Sequence, residues 1–314
     1  MRKRNLGNEG PALTVVGFGA WAIGGPWEFG WGPVDDDSSV KAIHRAIDLG
    51  VNWIDTAAVY GLGHSEEIVA KALNGIRDKV FLATKCGMVW DDRGRVRTHL
   101  GPKSIRTEIE ESLRRLNTDH VDLYQFHWPD PQTPVEDSWR VMADLRNEGK
   151  VRYIGVSNFD VPLLERCMSI APVQSLQPPY NLLKREVEKR ILPFCRRNGI
   201  GVVAYSPMMS GLLTGKFDIK RLSGDDWRRR DRIFSEPLLG KELTFVERLR
   251  PIAGRYGKTV GQLAVAWVNM NPATTSSIVG ARNEEQVIEN VESDFDLQTS
   301  DMQEIEKALD ETVG

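Results

Sequence analysis

A chain of 314 residues can form one large α/β barrel or two ordinary domains, and its 41% hydrophobic content supplies a sizeable core for either. A net charge of −3 leaves no single-sign field to suit nucleic acid or a membrane surface. No apolar run approaches the roughly 18 residues of a membrane span, and the three cysteines form no CxxC pair, so a soluble, cytoplasmic chain with reduced thiols is expected.

Behind a basic N-terminus, MRKRNLGNEG, the first apolar run is Thr14–Phe18, followed by a tryptophan-rich loop, Gly25–Pro33. Asp37-Ser38 then opens a helical pattern over Ser38–Leu49, and Val51–Asp55 reads as the second strand. Helix Ser65–Asn74, opened by Ser65, Glu66 and Glu67, precedes strand Val80–Thr84. Helix Pro102–Leu116 precedes strand Val121–Phe126, and helix Pro134–Glu148 precedes strand Val151–Gly155. After helix Pro162–Ser169 comes strand Val173–Leu176, and after helix Arg185–Arg197 comes strand Gly201–Tyr205. Helices Gly240–Tyr256 and Val260–Met270 precede the last strand, Ser276–Gly280, and Met302–Leu309 reads as a C-terminal helix. Gly50, Gly149 and Gly199 sit just past helical runs, as C-terminal caps should.

The strands are nearly continuous apolar runs, which implies burial on both faces and a parallel sheet. Eight strand–helix units predict an α/β fold, a single-domain (β/α)8 barrel over residues 1–314, with no linker to divide it. The unit after the seventh strand is much the longest and carries an enlarged loop, Phe217 to Leu239, at the active-site end.

Three successive strands end on ionisable groups. They are Asp55 with Tyr60 in VNWIDTAAVYG, Lys85 in VFLATKCG and His127 in VDLYQFHWPD. In parallel α/β folds strand ends of this kind converge on the site of chemistry. A phenol titrates near 10 unless tuned, and a neighbouring ammonium such as Lys85 lowers that value. Asp55 can hold Lys85 by a charge-assisted hydrogen bond, and His127 can orient a substrate oxygen. Singly, each would pass for a cap, a turn residue or a solvated side chain; together they suit proton transfer at a carbonyl or alcohol. No side chain supplies a hydride, so a bound cofactor must.

At these residues the chain resembles the aldo-keto reductases. DTAAVYG, ATKCG, QFHWPD, GVSNF and AYSPM occur in that family's order and spacing, and the likeness runs from Gly17-Phe-Gly19 to Glu289-Asn290. SEEI, QPPYN and GLLTGK are most similar to the bacterial branch that includes general-stress and inositol-operon reductases and is related to potassium-channel β subunits. The resemblance implies a TIM-type barrel, a catalytic tetrad of Asp55, Tyr60, Lys85 and His127 with Tyr60 as general acid/base, and NADPH as hydride donor, with NADH less favoured.

It also implies the cofactor's contacts. Ser157, Asn158 and Gln177 match the residues that hold the nicotinamide carboxamide, which suits side chains carrying both donor and acceptor. Tyr205 matches the aromatic beneath the nicotinamide ring. Ser206, Pro207, Met208, Gly211 and Lys216 match the loop over the pyrophosphate, and Gly19, Ala20 and Trp21 the turn after the first strand. Gly280, Arg282 and Gln286 would face the adenosine 2′-phosphate, and Glu289 and Asn290 the adenine. Gly280-Ala281 stands where relatives carry Lys-Ser, which weakens the case for NADPH. Arg228 offers a second cation, although Asp225, Asp226 and Asp231 flank its run and make a solvated, self-neutralised loop an equal reading.

Trp53 and Trp267 lie in apolar segments and read as core. Trp21, Trp27, Trp31, Trp90 and Trp128 fall on loops past strand ends, where they line an aromatic substrate pocket or simply pack the loops together. Two motifs point elsewhere. Gly17-Phe-Gly19-Ala-Trp-Ala22 matches GxGxxG/A but opens no helix, and Tyr180 with Lys184 forms a YxxxK pair without a partner serine. No HExxH or similar metal cluster occurs. The expected partner is a small-molecule carbonyl, with no nucleic acid or membrane, in a monomer or weak oligomer. A slow, cofactor-bound sensor or regulatory subunit is the alternative function.

Overall fold

Strands buried on both faces belong to parallel α/β sheets, and this chain also removes the sheet's edges by closing it. In a computed structural model describing residues 1–224 and 226–313, eight parallel strands form one closed barrel. Asp225, of the acidic flank noted above, and Gly314 lie outside the described residues. In chain order the strands are β1 (Lys3–Asn5), β2 (Ala12–Thr14), β3 (Val16–Gly19), β4 (Trp53–Asp55), β5 (Phe81–Cys86), β6 (Met88–Trp90), β7 (Val96–Thr98), β8 (Val121–Phe126), β9 (Val151–Ser157), β10 (Ser175–Gln177), β11 (Gly201–Ala204) and β12 (Thr274–Gly280). The barrel runs β10-β11-β12-β3-β4-β5-β8-β9 and closes back on β10. The helices are α1 (Asp36–Asp48), α2 (His64–Leu73), α3 (Pro102–Leu116), α4 (Val135–Asn147), α5 (Val161–Met168), α6 (Ile191–Asn198), α7 (Leu238–Arg255), α8 (Val260–Met270), α9 (Glu284–Val291) and α10 (Thr299–Thr312).

The eight expected barrel strands are all present, with small shifts at their ends. The first is the largest departure. Thr14 belongs to β2, which pairs antiparallel with β1, and the barrel strand begins at Val16. This N-terminal hairpin places Leu6 and Leu13 against Trp53, Ala83, Leu123, Val203 and Ile278 inside the barrel. It stops the end at which β11 begins, because Leu6 lies directly against Gly201. Periodicity could not reveal it: three-residue strands hold too few alternations. The same holds for the antiparallel hairpin β6–β7, and α9 is a further element that the sequence reading lacked.

Gly17 owes its identity to Trp53. A Cβ at Gly17 would sit 2.0 Å from the Trp53 ring, which fills the barrel and donates from Nε1 to Thr14 O and Ser276 Oγ, both at 3.1 Å. The GxGxxG match therefore reports a close packing contact. The predicted caps Gly50, Gly149 and Gly199 all take positive φ. Ser65 differs: its hydroxyl donates to Ala20 O at 2.9 Å, tying α2 to the turn after β3 instead of capping the helix. All three cysteines are free and buried, and among the described residues no helix is long and apolar enough to cross a membrane.

Candidate active site

The parallel register brings the strand ends together. Gly19 pairs with both Asp55 and Gly280, Lys85 pairs with Gln125, and Ser157 pairs with Gln177, all at the C-terminal rim. A cavity of about 780 Å³ opens there, lined by residues from every part of the chain, from Gly19 to Ser293.

Lys85 lies under this cavity with a fully buried side chain. Its Nζ donates to Asp55 Oδ2 at 2.6 Å, to Thr56 O at 2.9 Å and to the Tyr60 hydroxyl at 3.1 Å. All three of its protons are thus committed. Burial opposes the Lys85 charge, but the Asp55 carboxylate and the Tyr60 hydroxyl outweigh it, and the ammonium titrates above its ordinary value. Tyr60 departs from the simplest expectation. Burial raises its phenol above the ordinary value, and the pull of Lys85 offsets only part of that. In the unliganded protein Tyr60 therefore holds its proton and is a donor. His127 packs edge-on to the Tyr60 ring, with centroids 5.6 Å apart. Burial first, and Lys85 second, push its pKa well below the usual imidazole value, so the ring is neutral and keeps one N–H.

A second set of polar groups joins this one without a break. Gln177 Nε2 donates to Asp55 Oδ1 at 2.8 Å. Ser157 Oγ donates to Gln177 O at 2.8 Å, and Asn158 Nδ2 donates to Ser157 Oγ and His127 O. The Tyr205 hydroxyl donates to Asn158 Oδ1 at 2.9 Å. Asn158, Ser206, Met209 and Ser210 all take positive φ, a cluster of backbone strain that is costly away from a functional site.

The residues past β11 and β12 carry the cavity outward. Pro207, Met208, Gly211, Lys216, Gly280, Arg282, Gln286, Glu289 and Asn290 all line it. The Arg282 side chain is exposed and, among the described residues, in no ion pair, while Gln286 accepts its backbone N–H. Lys216 faces Glu289 at 3.4 Å. One continuous cleft thus leads from the Tyr60 phenol past amide side chains to a free guanidinium. That shape and donor set fit a nicotinamide dinucleotide.

Three of the expected site residues lie outside the lining of the cavity. Ala20 is fully buried in the main core and does not line the cavity. Trp90 pairs with Val96 in the β6–β7 hairpin and stands outside the lining, where Met88 of the same hairpin takes the inner place. Arg228 is also outside it. Its guanidinium grips Asp226 with two bonds, at 3.0 and 2.7 Å, donates to Ser210 O at 3.0 Å and lies 4.5 Å over the Trp31 ring. The run is thus self-neutralised at Arg228, and that residue is buried instead of solvated.

Trp21, Trp27, Trp31 and Trp128 do line the cavity, and Trp27 stands 6.3 Å from the Tyr60 ring. Phe29, Met88, Trp227, Ile233 and Phe234, none of them expected there from the sequence, line it too, as does Lys184 of the YxxxK pair. Trp227 comes from the long loop and meets Trp21 and Trp31, so the loop closes on the tryptophan-rich segment. The only signal for this was aromatic residues within a charged insert. The YxxxK pair is excluded as a site: Tyr180 is buried, its hydroxyl bonded to Glu188 and Asn271.

Against known proteins, the family model described as "Aldo/keto reductase family" matches residues 15–310. The chain is 40% identical to "Aldo-keto reductase YhdN" of Bacillus subtilis, over 100% of this chain and 95% of that one. It is 36% identical to the "NADH-specific methylglyoxal reductase" of Escherichia coli, over 99% and 100%. The solved glycerol dehydrogenase AKR11B4 of Gluconobacter oxydans superposes with a TM-score of 0.90 at 39% identity, covering 99% of this chain and 95% of that one.

Proposed function

The chain belongs to the aldo/keto reductase family, and from that premise we propose that it reduces aldehydes or ketones reversibly, with NADPH preferred and Tyr60 as the proton donor. The family carries the coarser statement: this is a carbonyl oxidoreductase that works with a nicotinamide cofactor. The observation that supports the finer one is the buried contact of Lys85 Nζ with both Asp55 and the Tyr60 hydroxyl.

A nicotinamide cofactor, when bound, supplies the two electrons. Ser157, Asn158 and Gln177 would hold its carboxamide, Tyr205 its ring face, and the Ser206–Gly211 turn with Lys216 its phosphates. The protein's own contribution is proton placement. A carbonyl oxygen seated between the Tyr60 hydroxyl and the neutral His127 N–H takes two hydrogen bonds. Polarisation by both favours negative charge on that oxygen, and Tyr60 delivers the proton. Lys85 then faces the phenolate it has helped to form.

Substituting Tyr60→Phe removes one oxygen atom and the transferable proton. Turnover is expected to fall by about 10²–10⁴-fold, while cofactor titration by intrinsic fluorescence stays near wild type. Unchanged turnover in this variant defeats the proposal. Because the phenol titrates above its ordinary range, wild-type kcat/KM for reduction stays flat through neutral pH, with no inflection from His127. The preference for NADPH rests on Arg282, whose replacement by Ala is expected to lower the NADPH:NADH ratio of kcat/KM. The relative named as NADH-specific marks the opposite outcome.

A further inference from the structure

Gln177 ends β10 and reaches the cleft, yet it is only 2% exposed. Its amide orientation is fixed by chemistry. A carboxylate only accepts, so the NH₂ end is the one 2.8 Å from Asp55 Oδ1. Lys85 holds the other oxygen, Oδ2, at 2.6 Å. Strands β10 and β4 are not neighbours in the barrel, so this contact spans its interior. Donors thus run in series: Gln177 and Lys85 both give to Asp55, and Lys85 also gives to Tyr60.

We infer that Gln177 is a positioning residue of the acid–base assembly: it holds Asp55 from across the barrel, so that the second carboxylate oxygen keeps Lys85 against the Tyr60 hydroxyl. This rests on the reading of Tyr60 as proton donor. It adds to the cofactor contact expected of this residue, since among the described residues the amide oxygen has no hydrogen-bond partner while the nitrogen is committed to Asp55. One side chain thereby joins the group that holds the carboxamide to the group that sets the proton.

The sign of the effect follows from the geometry. Without the Gln177 donor, Asp55 Oδ1 is buried and unpaired. The carboxylate then draws harder on its remaining strong partner, Lys85. Less of the ammonium is left for the phenol oxygen, and Tyr60 becomes a weaker acid. A residue that served only the cofactor would leave Tyr60 unaltered in the cofactor-free protein.

The test is Q177M, which keeps the side-chain length and loses the donor. Tyrosine labelled with ¹³C at Cζ reports each phenol in the cofactor-free protein, and Tyr60 is the resonance absent from Y60F. In Q177M its midpoint is expected to rise by about half a unit or more. N158A is the control: Asn158 faces the same cleft but does not touch Asp55, and its Tyr60 midpoint is expected to stay put. In a D55N background, Q177M is expected to have no further effect on Tyr60. Where Q177M fails to fold, Q177L serves in the same titration. An unmoved midpoint together with an inactive Y60F overturns this inference alone. An active Y60F removes the reading beneath it.

Discussion

The floor and the roof of the cleft are built on different principles. The floor is made of strand ends: Asp55, Lys85, Gln177 and Ser157 are joined by hydrogen bonds of 2.6 to 2.8 Å or share a ladder register. The roof is made of loops: the tryptophan-rich segment after β3 meets the insert after β11 through rings 6.0 to 6.5 Å apart, clamped by Arg228. Hydrogen bonds in a dry floor have one correct geometry, so each member is indispensable. Ring contacts are many, individually weak and tolerant of rearrangement. Substitutions in the floor should therefore act all-or-none on chemistry, and those in the roof should act gradually on binding.

Lys85→Met breaks this comparison most severely if it fails. Among the described residues, the substitution leaves a buried carboxylate with Gln177 as its only strong partner. Removing one member of a buried pair costs about 3–5 kcal/mol, so denaturation midpoints should drop markedly as turnover falls. The double substitution Lys85→Met, Asp55→Asn removes the stranded charge. It should recover most of the lost stability in urea titrations and none of the turnover. Recovery of turnover would mean that the cation is not part of proton delivery.

The contrast also explains how far the sequence could be read. Barrel strands of six or seven residues, such as Val121–Phe126, are long apolar runs between capped helices, and their order alone predicts the closed sheet. The floor was legible for a related reason: Asp55, Lys85 and His127 interrupt apolar strands where no folding requirement asks for charge. The roof was not. Trp227 joins Trp21 and Trp31 through contacts between segments about 200 residues apart, and no local pattern encodes such a contact. Arg228 misled for the same reason, because its stacking on Trp31 is invisible beside the obvious acidic neighbours. The hydrogen bond from Gln177 to Asp55 crosses the barrel and likewise has no linear signal.

Arg228→Met tests how the roof is held. The variant keeps an apolar side chain over Trp31 but loses the cation–π contact and strands a mostly buried Asp226. A desolvated cation–π contact is worth up to about 2 kcal/mol, so stability should fall by that order. Cofactor release, followed by stopped-flow tryptophan fluorescence, should quicken by several-fold, because Ser210 in the strained turn loses its donor. Single-turnover chemistry with bound cofactor should be unchanged. A slowed chemical step would show that roof and floor are coupled and that the division between them is too sharp.

The smallest effect separates two tryptophans that looked alike in sequence. Trp27 stands 6.3 Å from the Tyr60 ring and touches Phe29 at the mouth, whereas Trp90 is paired into the β6–β7 hairpin outside the lining. Aromatic pairing contributes about 0.5–1.5 kcal/mol beyond simple burial, or roughly 2- to 12-fold in affinity. Trp27→Ala should therefore raise KM for aryl aldehydes by that factor while leaving small aliphatic aldehydes nearly unaffected, and kcat should hold. Trp90→Ala should leave both substrate classes within about two-fold of wild type, because the ring stands outside the cavity lining. Equal behaviour of the two variants across an aldehyde panel would mean that the aromatic wall packs the loops and does not meet the substrate. A fall in kcat for Trp27→Ala would instead move that ring from the roof to the floor, as part of what holds the phenol in line.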